Sequence, residues 1–235
     1  MPRYALYFAP PEGSAWWRFG ASWLGRDAAT GAAHPHPEVP GVPPDALHAL
    51  TEMPRRYGFH ATVKAPFALH PGATRDGLAG ALEQFCAPRA AFPVPRLDVT
   101  RIDDFLALAP VARESRINDL AAECVREFEP FRALLDATEV ERRRRAGLSP
   151  RQDRYLEEFG YPFVLAEFRF HMTLTGSIDR VPPQIVAAVR AAAERAVAAL
   201  ADEPLHFDAL ALFEQPARGA PFRLVARFPF GGRGA

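Results

Sequence analysis

Hydrophobic and polar positions alternate through short β-rich runs, and helical periodicity takes over between them. Tyr4–Phe8 is the first such run, closed by Pro10-Pro11, and predicts a strand with Tyr4 and Tyr7 on opposite faces. A packed sheet position with the hydroxyl at a rim is the expected role for these phenols, with one of them reaching the cleft as the alternative. Ser14 then stands as a helix N-cap before Trp16, Trp17, Phe19 and Trp23, whose spacing predicts core packing. Residues 25–44 are rich in Gly, Pro and Ala, and the HPHP stretch with His34 and His36 reads as a solvent-exposed loop. A strand follows at the RYGFHATVKAPF stretch, and Leu78, Ala81, Leu82 and Phe85 recur at intervals of three and four, predicting a helix over 74–86. Strands are predicted at 97–102 and 105–108, joined by a turn at Asp103-Asp104.

The second half repeats this order. FLALAP before a helix echoes YALYFAP before a helix, and Ile117, Leu120, Ala121, Cys124 and Phe128 give a helical stripe. A further strand, a helix opening near Pro182-Pro183, and strands at 205–213 and 222–230 complete the plan. The same offset of 111 residues that separates His60 from His171 carries Val99 onto Leu210. The expectation is an α+β chain forming a single bilobal domain over 1–235, with a first repeat at 3–102 and a second at 105–230. Two lobes related by an approximate twofold would set antiparallel sheets around a central cleft, with helices outside. An extra helical insertion at 138–160 breaks the symmetry; Ser149, Pro150 and Gly160 mark its caps. Its Arg142–Arg145 run reads first as a solvated face, with a clamp for a second phosphate as the alternative.

Phe-His-x-Thr-hydrophobic occurs twice, at His60 and Thr62 and again at His171 and Thr173. In a strand, residues i and i+2 project from one face, so each copy aims an imidazole and a hydroxyl together. Side by side, the copies offer one cleft two titratable nitrogens and two hydroxyl donors, which suits proton movement around a phosphate. The hydroxyls would donate to non-bridging oxygens. Lys64 and Thr175 stand four residues after each histidine and share that face if the strands stay regular. Arg169, two before His171, and Tyr57 are weaker candidates. A single His-x-Thr is commonplace in strands, and it is the matched pair that carries the reading.

The chain is long enough to bury a large core, and 49% hydrophobic with 24% charged residues is ordinary for a globular protein. Lys+Arg and Asp+Glu are both 28, so no global field attracts a long nucleic acid; a small phosphate ester, or only the end of an RNA, fits better. Cys86 and Cys124 lack C-x-x-C spacing and read as buried free thiols. No run approaches the roughly 20 apolar residues that span a bilayer, no signal-peptide pattern opens the chain, and a cytoplasmic location is expected. No cofactor or metal is expected either, because no local His/Asp cluster accompanies the motifs.

The two H-x-T-hydrophobic motifs resemble the signature of the two-histidine (2H) phosphoesterase superfamily. RYALYFAPP, SWLGRDAATG, RYGFHATVKAPF and GYPFVLAEFRFHMTLTG are similar to a bacterial branch associated with phosphonate metabolism. The resemblance implies a hydrolase: a metal-independent cyclic phosphodiesterase with His60 and His171 as general base and acid and Thr62 and Thr173 on the phosphate. It also implies a small cyclic phosphate, ribose-based in the phosphonate-associated branch. An RNA-end 2′,3′-cyclic phosphodiesterase or 2′-5′ ligase-like enzyme, and a phosphate- or nucleotide-binding module without turnover, stay open. So do the assignment of acid and base, and the oligomeric state.

Overall fold

The computed structural model describes residues 1–145 and 147–232. Ala146, inside the 138–160 insertion, and residues 233–235 of the expected 1–235 domain lie outside the described residues. The strands are β1 (Arg3–Phe8), β2 (Ala61–Phe67), β3 (Phe92–Pro93), β4 (Leu97–Ile102), β5 (Phe105–Pro110), β6 (Met172–Thr173), β7 (His206–Phe207), β8 (Ala209–Gln215) and β9 (Arg223–Pro229). The α-helices are α1 (Ala15–Leu24), α2 (Pro44–Leu50), α3 (Glu52–Arg55), α4 (Arg75–Cys86), α5 (Ser115–Glu127), α6 (Ala137–Arg144), α7 (Pro150–Phe159) and α8 (Pro183–Ala198). The protein is α+β, with an antiparallel sheet and helices packed on it.

Seven strands form one sheet in the order β4-β5-β6-β2-β1-β8-β9, and β3 pairs with β7 separately. The expected arrangement of separate sheets around a cleft is therefore corrected. The two motif strands hydrogen-bond to each other through Ala61↔Met172, which joins both halves of the chain edge to edge. Backbone groups left bare on either strand would need other partners, and pairing satisfies them directly.

One sheet face carries the main core, where Leu6, Val63, Leu108, Met172 and Leu212 meet α4, α5 and α8 through Leu82, Leu120 and Val189. The caps form as the residues dictate. Ser14 Oγ accepts from Trp17 N–H, and Ser149 and Gln152 close a reciprocal capping box with Pro150 at the first turn and Gly160 left-handed at the end. Two expectations differ from the observed course. His36 is not free in solvent: it folds back so that Nδ1 donates to Trp23 O at 3.0 Å. The second motif strand is only two residues long. Beyond it, Thr175 Oγ1 accepts from Leu106 N–H and Gly176 N–H donates to Leu50 O, which draws the backbone off the ladder.

Candidate active site

Burial along the two motifs alternates residue by residue. Phe59, Ala61 and Val63, and likewise Phe170, Met172 and Leu174, are buried in the main core. His60, Thr62, His171 and Thr173 between them are half-buried on the opposite sheet face. Ala61↔Met172 fixes the register, so one residue either side His60 lies across from Thr173 and Thr62 across from His171. Directly opposed side chains in such a pair sit about 4.5–5.5 Å apart at Cβ, and the diagonal His60 and His171 roughly 7–8 Å. That diagonal is wide enough to admit a phosphate between the rings.

The two imidazoles are anchored alike. His60 Nδ1 donates to Gly58 O at 2.8 Å, and His171 Nδ1 donates to Arg169 O at 2.8 Å. Each bond goes to the residue two before the histidine, so it fixes the tautomer and leaves Nε2 as the acceptor. The Thr62 hydroxyl donates to His60 Nε2 at 3.2 Å. Gly58 makes its part of this geometry accessible. Its φ of +82° suits glycine, and a Cβ there would lie 2.6 Å from Ala28 Cβ.

Their surroundings differ. Tyr7, across from Thr62 on β1, stacks on the His60 ring with centroids 3.7 Å apart and planes at 24°. Behind it lies a second apolar cluster on this face, containing Trp17, Phe213 and Phe222, with Tyr57 packed against it. Burial lowers the His60 pKa to about 4, the Gly58 bond opposes that, and the nearby His171 lowers it further. His171 has Phe105 at 5.7 Å between ring centroids. Its pKa is also lowered, by burial first and by the Arg169 charge, against the Arg169 carbonyl bond and Asp103. Burial pushes the Tyr7 phenol well above the usual range, Tyr57 and Tyr161 add to the rise, and the Arg3 charge opposes it.

The other sequence candidates divide. Tyr57 lies beside His60, 6.3 Å away between ring centroids. Arg169 is exposed beside His171 and contributes its carbonyl. Lys64 is turned away. The register slips between Tyr7↔Thr62 and Leu6↔Lys64, and this bulge places Lys64 opposite the core residue Leu6. There Nζ donates to Val125 O at 3.0 Å and Glu129 Oε2 at 2.8 Å. The expected phosphate contact from Lys64 is corrected on that ground, since strand regularity was its only support. Thr175 is 1% exposed and spent on the Leu106 amide, so it too is outside the cleft. Tyr7, expected in the sheet with its hydroxyl at a rim, stacks on His60 instead; which phenol does so depends on cross-strand register, which no local pattern encodes. Among the described residues, no group of three His, Cys, Asp or Glu is placed to hold a metal ion, and no helix is long and apolar enough to cross a membrane.

Fold and side-chain placement together define an α+β protein with a central antiparallel strand pair that carries two anchored histidines and two threonines on one sheet face. The chain belongs to the DUF1045 family, described as a protein of unknown function, whose pattern matches residues 62–223. It is 42% identical over 235 residues to the ribose 1,5-bisphosphate phosphokinase PhnN of Janthinobacterium sp. (strain Marseille), covering 100% of this chain and 52% of that protein. It is 35% identical over 232 residues to the protein of the same name from Laribacter hongkongensis (strain HLHK9), covering 94% of this chain and 50% of that one. The chain thus spans about half the length of the curated relatives it matches. A crystal structure of a conserved protein of unknown function, ATU0111 from Agrobacterium tumefaciens str. C58, aligns with a TM-score of 0.42 at 12% identity, covering 97% of this chain and 85% of that one. The names of the curated relatives overturn one expectation. Both are called a phosphokinase, an enzyme of phosphoryl transfer, so the hydrolase assignment read from the sequence resemblance is corrected.

Proposed function

We propose that the paired His-x-Thr strands form a site for a phosphorylated ribose, in which two imidazoles move protons while a phosphoryl group passes between oxygen atoms. The observation that supports this is the register: Ala61↔Met172 pairs the two motifs, and His60, Thr62, His171 and Thr173 flank that pair on the face opposite the main core. The ribose phosphate in the relatives' name supports the substrate class, and it agrees with the phosphonate-metabolism branch that the sequence resembles.

The chemistry divides by environment. His60, stacked under Tyr7 and held neutral, accepts the proton of the attacking hydroxyl at Nε2 as the new P–O bond forms. His171 is less enclosed. A bound phosphate dianion raises its pKa, and protonated Nε2 then donates to the departing oxygen as the old P–O bond breaks. Thr62 and Thr173, across from the two histidines, hold the non-bridging oxygens. Thr62 gives up its bond to His60 Nε2 to do so.

Phosphorus NMR of ribose 5-phosphate and ribose 1,5-bisphosphate, each with and without ATP, tests this in wild type, His60→Ala and His171→Ala. The expected outcome is a new phosphorus product in wild type and a fall of about 10²–10⁴-fold in each variant. Binding that is tight and unaltered by both substitutions, with no product, would make the chain a binding module and reject the proton-transfer reading.

A further inference from the structure

A cavity of about 450 Å³ opens where β2 ends beside α6 and the turn after α7. Arg3, Lys64, Arg132, Arg143 and Arg218 line it, together with Tyr161. This is a local concentration of cations in a chain whose formal charge is zero. Asp136 and Glu139 line it too, and Glu129 pairs with both Lys64 and Arg132 from alongside. Five cations against three carboxylates leave two positive charges in excess.

The inner cations are committed to structure. Lys64, the chain's one lysine, and Arg132 are 3% and 8% exposed and are held by Glu129. The outer ones are gathered but under-neutralised. Arg142 at 2.5 Å, Arg143 at 3.2 Å and Arg218 at 3.9 Å all converge on the single carboxylate of Glu139, whose pKa is held at about 2 by the Arg142 hydrogen bond first. Arg143 also lies 6.0 Å from the centre of the Tyr161 ring. Arg3 connects the cavity to the paired histidines: its guanidinium lies 5.8 Å from the centre of the Phe222 ring, Phe222 stacks on Tyr57 at 5.2 Å, and Tyr57 lies 6.3 Å from His60 between ring centroids.

We propose that this cavity is a second anion subsite, in which Arg3, Arg143 and Arg218 hold a phosphate monoester at the far end of a ribose whose other phosphate lies between His60 and His171. An excess of two charges matches a phosphate dianion, and arginine forks suit its oxygens. The ribose part rests on the function proposed above; the anion site stands on its own cations. It gives a role to the 138–160 insertion, since Arg143 is carried by α6.

Calorimetry separates the two claims. Wild type is expected to bind ribose 1,5-bisphosphate at least tenfold more tightly than ribose 5-phosphate. In Arg143→Gln and in Arg218→Gln that advantage should shrink several-fold, while ribose 5-phosphate binding in the histidine cleft holds. The exposed Arg218 side chain makes its variant safe for folding if Arg143→Gln, which loses a bond to Gly160 O, proves unstable. Inorganic phosphate is the second probe, titrated into the His60→Ala, His171→Ala double variant. One phosphate should still bind there and weaken when Arg218→Gln is added. Failure of ribose 5-phosphate to bind wild type would reject the ribose site and leave the phosphate arm to judge the cavity. No phosphate binding in the double variant, or a bisphosphate advantage untouched by both arginine substitutions, would overturn the second subsite.

Discussion

His60 shows how packing sets chemistry at a single residue. A ring stacked on Tyr7 at 3.7 Å and bonded through Nδ1 to Gly58 O has one nitrogen left to use, and burial keeps it neutral. The consequence for stability has a definite sign. The folded pKa, about 4, lies below the ordinary value of roughly 6.5, so the unfolded chain binds the proton first. Stability is intact above pH 6.5 and falls as pH drops toward 4, by at most about 3 kcal/mol from this residue. Urea unfolding at pH 7 and pH 5 should show that loss in wild type and a smaller one in His60→Asn; equal losses would put the pH dependence elsewhere. Tyr7→Leu should open the ring to water and raise the His60 pKa by about one unit or more, read from the proton NMR titration of the imidazole. An unmoved titration would mean the stack does not desolvate it.

At the scale of elements, the sequence showed what repeats and what alternates. The strands that begin just after His60 and His171 were legible because a period of two and a duplicated motif state both the element and the face. Helix ends were legible at Ser14, Ser149 and Gly160 because caps are local chemistry. Lys64 was not, because a bulge arises from pairing with a distant strand and reverses the facing of everything beyond it. Which of the two phenols meets His60, and the joining of all seven strands in one sheet, depend on the same distant pairing. Lys64→Met, which leaves Glu129 without one of its two cations, should cost about 3 kcal/mol in urea unfolding. Ribose phosphate affinity should stay within twofold, and a large loss of affinity with unchanged stability would return Lys64 to the cleft. Gly58→Ala tests the strand's approach. With φ at +82° and Ala28 Cβ 2.6 Å from the new methyl, it should destabilise by about 2 kcal/mol and disturb the His60 anchor. A variant as stable as wild type with an unchanged His60 titration would show that the turn tolerates a side chain.

Taken whole, the molecule divides its sheet between two tasks. One face is closed by α4, α5 and α8 around the main core, where Cys86 and Cys124 are 1% and 0% exposed. Burial pushes the Cys86 thiol up to about 11 and Cys124 higher still, so neither should react with a thiol reagent before unfolding. Reaction in the native state would show that this layer opens. The other face holds the imidazole pair where β2 and β6 meet, so the proposed site requires that pairing. A titration of nitrogen-15-labelled protein with ribose 5-phosphate, following both Nε2 resonances, tests that most directly. The paired site predicts that His60 and His171 shift together with one shared midpoint. Movement of one ring alone, or two different midpoints, would contradict a single phosphate held between them.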